Sequence, residues 1–188
     1  MSLTRNQINS ICIFCGSGVG ENPKFAAQTE ELGRSLAIAG IEIIYGGGDM
    51  GLMGTLAKSA LKKNGIVTGV IPEFLLKYQS ETEIVTNQIV TKTMHERKSK
   101  MYELADGFIA LPGGIGTLEE LIETMTWEQL GQHSKPIYLF NIDNFWAPLL
   151  SLLEKMKHEK FIRKGLEANF KTFENVEELM NQIASLRC

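Results

Sequence analysis

The amino-acid sequence predicts an α/β fold, a single doubly wound domain in which helices flank a mostly parallel sheet. The first observation is that apolar β-type segments alternate with helical patterns along almost the whole chain. The second is that these segments are rich in Ile, Val and Phe on both faces, which is typical of parallel strands covered by helices on both sides. The third is that three of the segments end in glycine-rich turns. In such sheets, ligands bind at the carboxyl ends of the strands, near the point where the strand order reverses.

Seven short segments are the predicted strands. The first five are apolar β-type runs, and three of them, ICIFCG, IEIIYG and GFIALP, run into a glycine-rich turn. The sixth is KPIYLF, and the seventh is a short KTF segment before the last helix. In chain order the predicted strands are 11–16, 41–46, 66–72, 83–90, 107–112, 135–140 and 171–173.

Six helical patterns lie between or after these strands. In chain order the predicted helices are 23–39, 52–63, 94–105, 116–130, 145–157 and 176–186. Right-handed crossovers between parallel strands would give this alternation a Rossmann-like topology. The strand 66–72 is followed by a longer polar stretch instead of a helix, and we expect EFLLKYQSETE (73–83) to be a mobile loop.

Length and composition are those of an ordinary globular protein. The chain has 188 residues, of which 44% are apolar and 22% charged, so we expect one domain over residues 1–188 with a poorly ordered N-terminal segment over 1–9. The formal net charge of -3 disfavours a nucleic acid or an anionic membrane as partner, but it leaves room for a local basic pocket. Because there is neither an apolar run of about 20 residues nor the apolar core of a signal peptide, a cytoplasmic location is expected.

Cys12 and Cys15 form a C-x-x-C pattern, which raises the question of a redox or metal site. Both lie on the first predicted strand, where a spacing of three places them on opposite faces and disfavours a disulfide. No second Cys/His pair completes a zinc site. We therefore interpret both cysteines as buried thiols and expect no metal.

The three glycine-rich turns are CGSGVG (15–20), YGGGDMG (45–51) and LPGGIGT (111–117). Glycines at these positions let backbone N–H groups approach an anion, and the following helix N-terminus adds unpaired donors. The second turn also matches G-x-G-x-x-G, which is weak by itself because a tight turn without ligand has the same pattern. A dinucleotide site would normally follow the first strand, although Glu73 remains available as the ribose-binding acid.

The segment PGGIGTLEE (112–120) offers more than a turn. Its glycines open the backbone, and Thr117 adds a hydroxyl at the start of a helix. Thr117 and Glu120 are three residues apart and share a helix face. The residues expected to face the core are Leu118, Leu121, Ile122 and Met125. Either the segment joins a phosphate site to a carboxylate, or Glu119 and Glu120 only complement the helix dipole.

The segment TMHERKSKMYELA (93–105) places an arginine in an apolar stripe. Helical spacing places four residues on one face of the predicted helix: Met94, Arg97, Met101 and Leu104. An arginine directed inward requires a carboxylate or a phosphate. The alternative is an arginine that extends to solvent and pairs with Glu96. Lys98 flanks Arg97, and His95 is expected on the surface.

The chain resembles the LONELY GUY (LOG) family, the cytokinin-activating nucleoside-monophosphate phosphoribohydrolases. Three features carry this resemblance: the order of the glycine loops, the segment PGGIGTLEE and the segment MHERK. The hallmark P-G-G-x-G-T-x-x-E is met in full by residues 112–120, and the M-x-x-R-K pattern by 94–98. The resemblance covers nearly the whole chain. It implies hydrolysis of the N-glycosidic bond of a purine 5′-monophosphate to the free base and ribose 5-phosphate, without metal or cofactor, by a homodimer or larger homo-oligomer.

The resemblance also implies roles for individual residues. Arg97 and Glu120 would be the catalytic pair. The residues implied or suggested as contacts to the nucleotide are Ser17, Gly46, Gly47, Gly48, Met94, Lys98, Gly113, Gly114, Gly116 and Thr117. The preference for AMP or for an N6-prenylated nucleotide stays open.

Three other functions are compatible with parts of the sequence. A nucleotide-binding sensor or carrier on the same fold would need no catalysis. A lysine decarboxylase dependent on pyridoxal phosphate would need a Schiff-base lysine, such as Lys98 or Lys100, but has no use for PGGIGTLEE. An NAD-dependent oxidoreductase would leave the PGGIGT segment without a role.

Overall fold

Within the residues that the structure describes, seven strands form one parallel sheet in the order β4-β3-β2-β1-β5-β6-β7. The structure is a computed structural model, and it describes residues 7–79 and 85–187. Each neighbouring pair of strands is parallel. The strands are β1 (Ser10–Phe14), β2 (Glu42–Tyr45), β3 (Val67–Pro72), β4 (Asn87–Thr91), β5 (Gly107–Ala110), β6 (Ile137–Phe140) and β7 (Phe170–Phe173).

Six α-helices in the described part of the chain cover the two faces of this sheet. They are α1 (Pro23–Ile38), α2 (Gly51–Leu61), α3 (Met94–Leu104), α4 (Ile115–Gln129), α5 (Ala147–His158) and α6 (Val176–Ala184). One apolar core lies between the sheet and α1, α2 and α6, and the other between the sheet and α3, α4 and α5. Alternate residues of one strand enter opposite cores, which explains why the strands are apolar on both faces.

The buried cysteines show this alternation. Cys12 packs in the core under α3 and α4, whereas Cys15, just after β1, packs in the core under α1 and α2. Both thiols are free. Burial raises the pKa of each thiol, with the charge of Glu120 acting in the same direction. The prediction of two buried thiols on opposite faces is therefore confirmed.

The predicted strands and helices all occur, with ends that shift by a few residues. The largest shift is in β4, which begins at Asn87 instead of residue 83; residues 80–84 lie outside the described part of the chain. Residues Glu73–Tyr78, which belong to the segment predicted as a mobile loop, form a 3-10 helix that connects β3 to the next described residues. Local i to i+3 turns satisfy the backbone of this segment without a long helix.

The N-terminal prediction also needs a correction. Residues 1–6 lie outside the described part of the chain, but Ile8 is fully buried in the core. The backbone N–H of Asn9 donates to the Asp106 carboxylate at 2.9 Å. A buried side chain and a paired amide tie these residues to the sheet, so residues 8 and 9 belong to the ordered domain.

The strand order reverses at β1, which pairs with β2 on one side and β5 on the other. The chain therefore leaves the sheet in opposite directions from these neighbouring strands, and a crevice forms at their carboxyl ends. The loops after β1, β2 and β5 are the three glycine-rich turns. Of the helices in the described residues, none has the length and apolar character needed to cross a bilayer.

Candidate active site

The glycine-rich loops after β1, β2 and β5 pack directly against one another. The backbone N–H of Gly16 donates to the carbonyl of Pro112 at 3.1 Å, and the N–H of Leu52 donates to the carbonyl of Gly16 at 3.1 Å. Gly51 has a φ of +61°, and a methyl group there would overlap the Ser17 backbone. Only a residue without Cβ fits this contact at a positive φ. The glycines therefore bring three strand ends to one place.

Arg97 lies in the first turn of α3 and points into this crevice. Thr93 caps the helix by accepting from the Glu96 N–H at 3.1 Å, and the Glu96 carboxylate accepts from the Lys92 N–H at 2.8 Å. This reciprocal arrangement fixes where α3 begins. Because Glu96 is used in the cap, it does not serve as the partner of Arg97.

The Arg97 guanidinium is buried and held by two elements. Its Nε donates to the carbonyl of Val70 at 3.1 Å, and its Nη1 lies 3.1 Å from Oε1 of Glu120. Both side chains are about nine-tenths buried. Gly46 makes room for the guanidinium, since a methyl group there would overlap Nη2. The arginine predicted to point inward thus meets the motif carboxylate.

Burial is the main influence on Glu120. Desolvation raises the pKa of its carboxyl above the usual 4.5, and the positive charge of Arg97 opposes this. Glu119 and Glu123 raise the pKa further, while Lys98 lowers it. A buried carboxylate whose pKa depends on a close charge partner, at the edge of a cleft, is typical of functional sites.

The N-terminus of α4 lies beside this pair. Its cap residue, Gly114, makes no side-chain capping bond, and Gly116 in the first turn is exposed. Thr117 is buried, and Gly113 provides space for it, because a methyl group at Gly113 would overlap Oγ1. Uncapped N–H groups and the positive end of the helix dipole form a suitable site for an anion.

These groups surround one open cleft, which we call the central cleft, with about 610 Å³ of empty volume. Seven of the residues predicted from the sequence line it: Ser17, Gly46, Arg97, Gly114, Gly116, Thr117 and Glu120. The cleft therefore joins the ion pair, the uncapped helix terminus and two further loops. This arrangement can hold an anionic group next to a buried carboxylate.

The remaining predicted residues lie around the central cleft instead of lining it. Gly47, with a φ of +76°, accepts a hydrogen bond from the Gln79 side chain at 2.6 Å, and Gly48 packs against Met53. Gly113 leaves the space that the Thr117 side chain occupies. Met94, the first residue of α3, is 38% exposed.

Lys98 is engaged elsewhere. Its Nζ lies 2.5 Å from Oε1 of Glu119 and 3.0 Å from Oε1 of Glu123. These two ion pairs raise the pKa of the lysine above its usual value. Lys98 is therefore the one predicted site residue whose charged group is held by two carboxylates of the protein.

Four lining residues were missed in the sequence: Ile13, Cys15, Met53 and Ile115. Ile115 is the variable position of PGGIGT and is 83% exposed, which gives the mouth of the cleft an apolar side chain. Its place inside the motif was a signal that it would lie at the site. Met53 gave no such signal, because it reaches the cleft only through the packing of α2.

The described residues contain no group of three or more His, Cys, Asp or Glu side chains that could hold a metal ion. The charged groups at the central cleft are instead one guanidinium and one carboxylate. Such a pair can stabilise charge of both signs and exchange a proton at the carboxylate.

Comparison with known proteins adds independent findings. A family model described as "Possible lysine decarboxylase" matches residues 53–183. The "Probable cytokinin riboside 5'-monophosphate phosphoribohydrolase LOG4" of Oryza sativa subsp. japonica is 42% identical over 179 residues, which are 95% of this chain and 78% of the rice protein. The cytokinin riboside 5'-monophosphate phosphoribohydrolase LOG7 of Arabidopsis thaliana is 39% identical over 183 residues, covering 97% of this chain and 84% of that protein.

A likeness among solved structures concerns the fold alone. The molybdenum cofactor binding protein of Rippkaea orientalis aligns with a TM-score of 0.71 over 97% of this chain and 99% of that chain, at 22% identity. The predicted Rossmann-like α/β fold is thus found in a solved structure with distant sequence.

Proposed function

Because the chain belongs to the LOG family of cytokinin riboside 5'-monophosphate phosphoribohydrolases, we propose that it hydrolyses the N-glycosidic bond of purine nucleoside 5'-monophosphates. The products are the free base and ribose 5-phosphate. The observation that carries this proposal is the buried pair of Arg97 and Glu120, 3.1 Å apart at the edge of a cleft that the uncapped N-terminus of α4 also lines.

Glu120 is the proposed catalytic carboxylate. Glycosidic cleavage passes through an oxocarbenium-like transition state with positive charge on the ribose. A carboxylate beside that charge stabilises it and can take a proton from the attacking water. The buried position of Glu120 strengthens both effects, since fewer water dipoles screen its charge.

Arg97 is the proposed partner of the leaving base. The purine gains negative charge as the bond breaks, and a guanidinium that donates several hydrogen bonds can stabilise that charge or orient the nucleotide. Val70 and Glu120 hold the guanidinium before substrate arrives. Such preorganisation avoids a reorganisation cost during the reaction.

The glycine loops and the start of α4 are the proposed site of the phosphoribosyl group. Donors there are backbone N–H groups, the Thr117 hydroxyl and the Ser17 side chain, and no metal or cofactor is invoked. The proposed binding residues are Ser17, Gly46, Gly47, Gly48, Gly113, Gly114, Gly116 and Thr117. Met94 is proposed as an apolar contact to the base, and the choice between AMP and an N6-prenylated nucleotide is left to the assay below.

The geometry of the site gives the other functions no specific support, although the matching family model is described as a possible lysine decarboxylase. Two ion pairs raise the pKa of Lys98, whereas a Schiff-base lysine needs a lowered pKa. Lys100 is paired with the exposed Glu103 on the same helix, so neither lysine favours the decarboxylase alternative. The structural likeness to a molybdenum cofactor binding protein concerns the fold, so it does not favour a carrier. An NAD-dependent oxidoreductase would leave the buried ion pair without a role.

The proposed setting is a cytoplasmic homodimer or larger homo-oligomer. An apolar groove between α4 and α5 supports self-association, because its lining includes exposed leucine and methionine side chains. Leu152 and Met156 are examples, at 48% and 36% exposure.

The test is a product assay with Glu120→Gln. Purified wild-type protein is incubated with AMP and with isopentenyladenosine monophosphate, without metal or pyridoxal phosphate, and free base is followed by chromatography. We expect base release by the wild type and a loss of about 10²–10⁴-fold in the variant, because the amide neither carries charge nor accepts a proton. The matched control is Glu103→Gln, which changes an exposed carboxylate of α3.

Either result is informative. Base release lost only in the Glu120 variant would support the proposal, and the ratio of the two rates would define the substrate preference. Nucleotide binding without base release by the wild type would overturn the hydrolase and favour a sensor or carrier.

A further inference from the structure

Lys98 links α3 to α4 behind the catalytic pair. Its ammonium lies within 3.0 Å of carboxylate oxygens of both Glu119 and Glu123, which are one turn apart on α4. Glu120 lies between them in the sequence. The same lysine directly follows Arg97 on α3, so two consecutive residues of one helix contact three carboxylates of the other.

The Lys98 network is partly buried and lies apart from the central cleft. The Lys98 side chain is 17% exposed, and that of Glu123 is 26% exposed. Lys98, Glu120 and Glu123 together line a small cavity on the other side of the catalytic carboxylate, with Phe14 and Met101. The Glu119 side chain is 50% exposed, so solvent screens its ion pair with Lys98 more than it screens the pair with Glu123.

We propose that Lys98 is a positioning residue for the proposed hydrolysis. By bridging Glu119 and Glu123, it fixes the second and third turns of α4 against α3 and holds Glu120 opposite Arg97. This role rests on the proposed function, since it assigns Lys98 to the support of the catalytic pair. It differs from the direct contact with substrate that the sequence suggested for this residue.

The ion pairs leave the ammonium little capacity for a substrate. An ammonium group has three N–H donors, and Lys98 uses two of them for the carboxylates of Glu119 and Glu123. The two ion pairs hold the ammonium, including its third donor, outside the central cleft. To reach a phosphate in that cleft, the ammonium would have to move away from Glu119 and Glu123. The uncapped start of α4 offers donors for an anion at no such cost.

Lys98 also balances charge around Glu120. The groups that act on this carboxylate are Arg97 and Lys98 from α3 and Glu119 and Glu123 from its own helix. The thiols of Cys12 in β1 and Cys15 just after β1 also interact electrostatically with Glu120, but they are neutral, because burial raises their pKa. Lys98 and Arg97 lower the pKa of Glu120, whereas the flanking glutamates raise it. Loss of Lys98 therefore favours the protonated, inactive form of Glu120.

The experiment is a double-mutant cycle. The variants are Lys98→Met, Lys98→Arg, Glu119→Gln with Glu123→Gln, and the triple variant Lys98→Met with both glutamine changes. Lys100→Met is the matched control, because Lys100 forms an exposed ion pair with Glu103 on the same helix. Each protein is compared for kcat, KM, the pH dependence of kcat/KM, and thermal unfolding.

For Lys98→Met we expect kcat to fall on the order of ten- to a hundredfold with little change in KM, since a small displacement of a catalytic group is costly. The acid limb of kcat/KM should move to higher pH, because a positive charge that lowers the pKa of Glu120 is removed. Lys98→Arg should restore most of kcat. In the protein with both glutamine changes, removing Lys98 should have little further effect on kcat, because the bridge is already absent.

The opposite pattern would overturn the proposal. A rise in KM at unchanged kcat that persists in the protein with both glutamine changes would make Lys98 a substrate ligand. An unchanged kcat and pH profile in Lys98→Met would remove any role in catalysis. If Lys98→Met is too unstable to assay, the triple variant gives the same discrimination, because it has no unpaired carboxylate.

A readout without turnover separates this inference from the hydrolase proposal. Carboxyl ¹³C NMR of labelled protein, with the Glu120 signal assigned from Glu120→Gln, reports the titration of Glu120 directly. A higher pKa of Glu120 in Lys98→Met than in the wild type would support the inference even if the wild type released no base. An unchanged pKa would contradict it.

Discussion

At the residue scale, two neighbouring positions on α3 have separate carboxylate partners on α4. Arg97 pairs with Glu120 inside the protein, and Lys98 with Glu119 and Glu123 outside the central cleft. A step of one residue along a helix turns the side chain by about 100°. The guanidinium therefore enters the cleft, while the ammonium reaches the outer side of α4.

The position of Glu120 predicts the acid limb of the pH profile. Burial raises the pKa of its carboxyl above 4.5, and a catalytic carboxylate must be deprotonated. Activity is therefore lost as the pH falls through that raised pKa. We expect the acid limb of kcat/KM in the wild type to lie above the ordinary range of a glutamate. A limb at or below that range would show that Glu120 is not the titrating group.

Gly46 predicts a steric effect on catalysis. A methyl group there would overlap Nη2 of Arg97, which is the flexible end of its side chain, so the fold can survive while the guanidinium moves. For Gly46→Ala we expect kcat/KM to fall by about 10²-fold with a small change in the free energy of unfolding. Gly18→Ala is the control, because a methyl group there meets open space. Equal activity in the two variants would contradict this role of Gly46.

At the element scale, the start of α3 is fixed by its cap and not by helix propensity. Thr93 and Glu96 exchange bonds with the backbone around the first turn, directly before Arg97. Capping bonds of this kind satisfy N–H groups that have no partner in the helix. The cap therefore determines the direction in which the Arg97 side chain leaves the helix.

Removing this cap should destabilise the protein. For Thr93→Ala we expect the free energy of unfolding to fall by about 1 kcal/mol, because the Glu96 N–H loses its acceptor. Urea denaturation followed by circular dichroism measures the change. Thr93→Ser retains a hydroxyl at the same place and should be close to wild type. A loss of equal size in both variants would mean that the threonine methyl group is responsible.

At α4, amphipathic spacing predicted the core only in part. Leu121 and Met125 are buried, but Ile122 is 37% exposed, so its assignment to the core is wrong. Ile122 instead lines the groove between α4 and α5, together with Leu118. The helix thus has two apolar surfaces, one against the sheet and one facing α5, and periodicity alone does not separate them.

At the scale of the whole molecule, the groove between α4 and α5 predicts self-association. Leu152 of α5 lines this groove and is 48% exposed. A carboxylate buried there in a dimer would lack a partner, so Leu152→Glu should shift the protein toward monomer. Light scattering after size-exclusion chromatography measures the mass. Ser151→Glu is the control on the adjacent, exposed position, and an unchanged mass for Leu152→Glu would place the interface elsewhere.

By itself, the sequence determined the alternation of strands and helices, the burial of the cysteines on opposite faces, and the three glycine loops at strand ends. These features depend on local spacing, since a period of two or of 3.6 residues decides which side chains share a face. The same local spacing placed Arg97 in an apolar stripe and Thr117 beside Glu120.

The tertiary structure alone decided which of these faces meet. The order β2-β1-β5 brings the loops after β1, β2 and β5 together, and it sets α3 against the start of α4. Arg97 therefore finds Glu120 instead of Glu96, Lys98 finds Glu119 and Glu123, and Met53 reaches the central cleft. Contacts between distant segments depend on how whole helices and strands pack against one another. The spacing of residues within one segment carries no information about that packing.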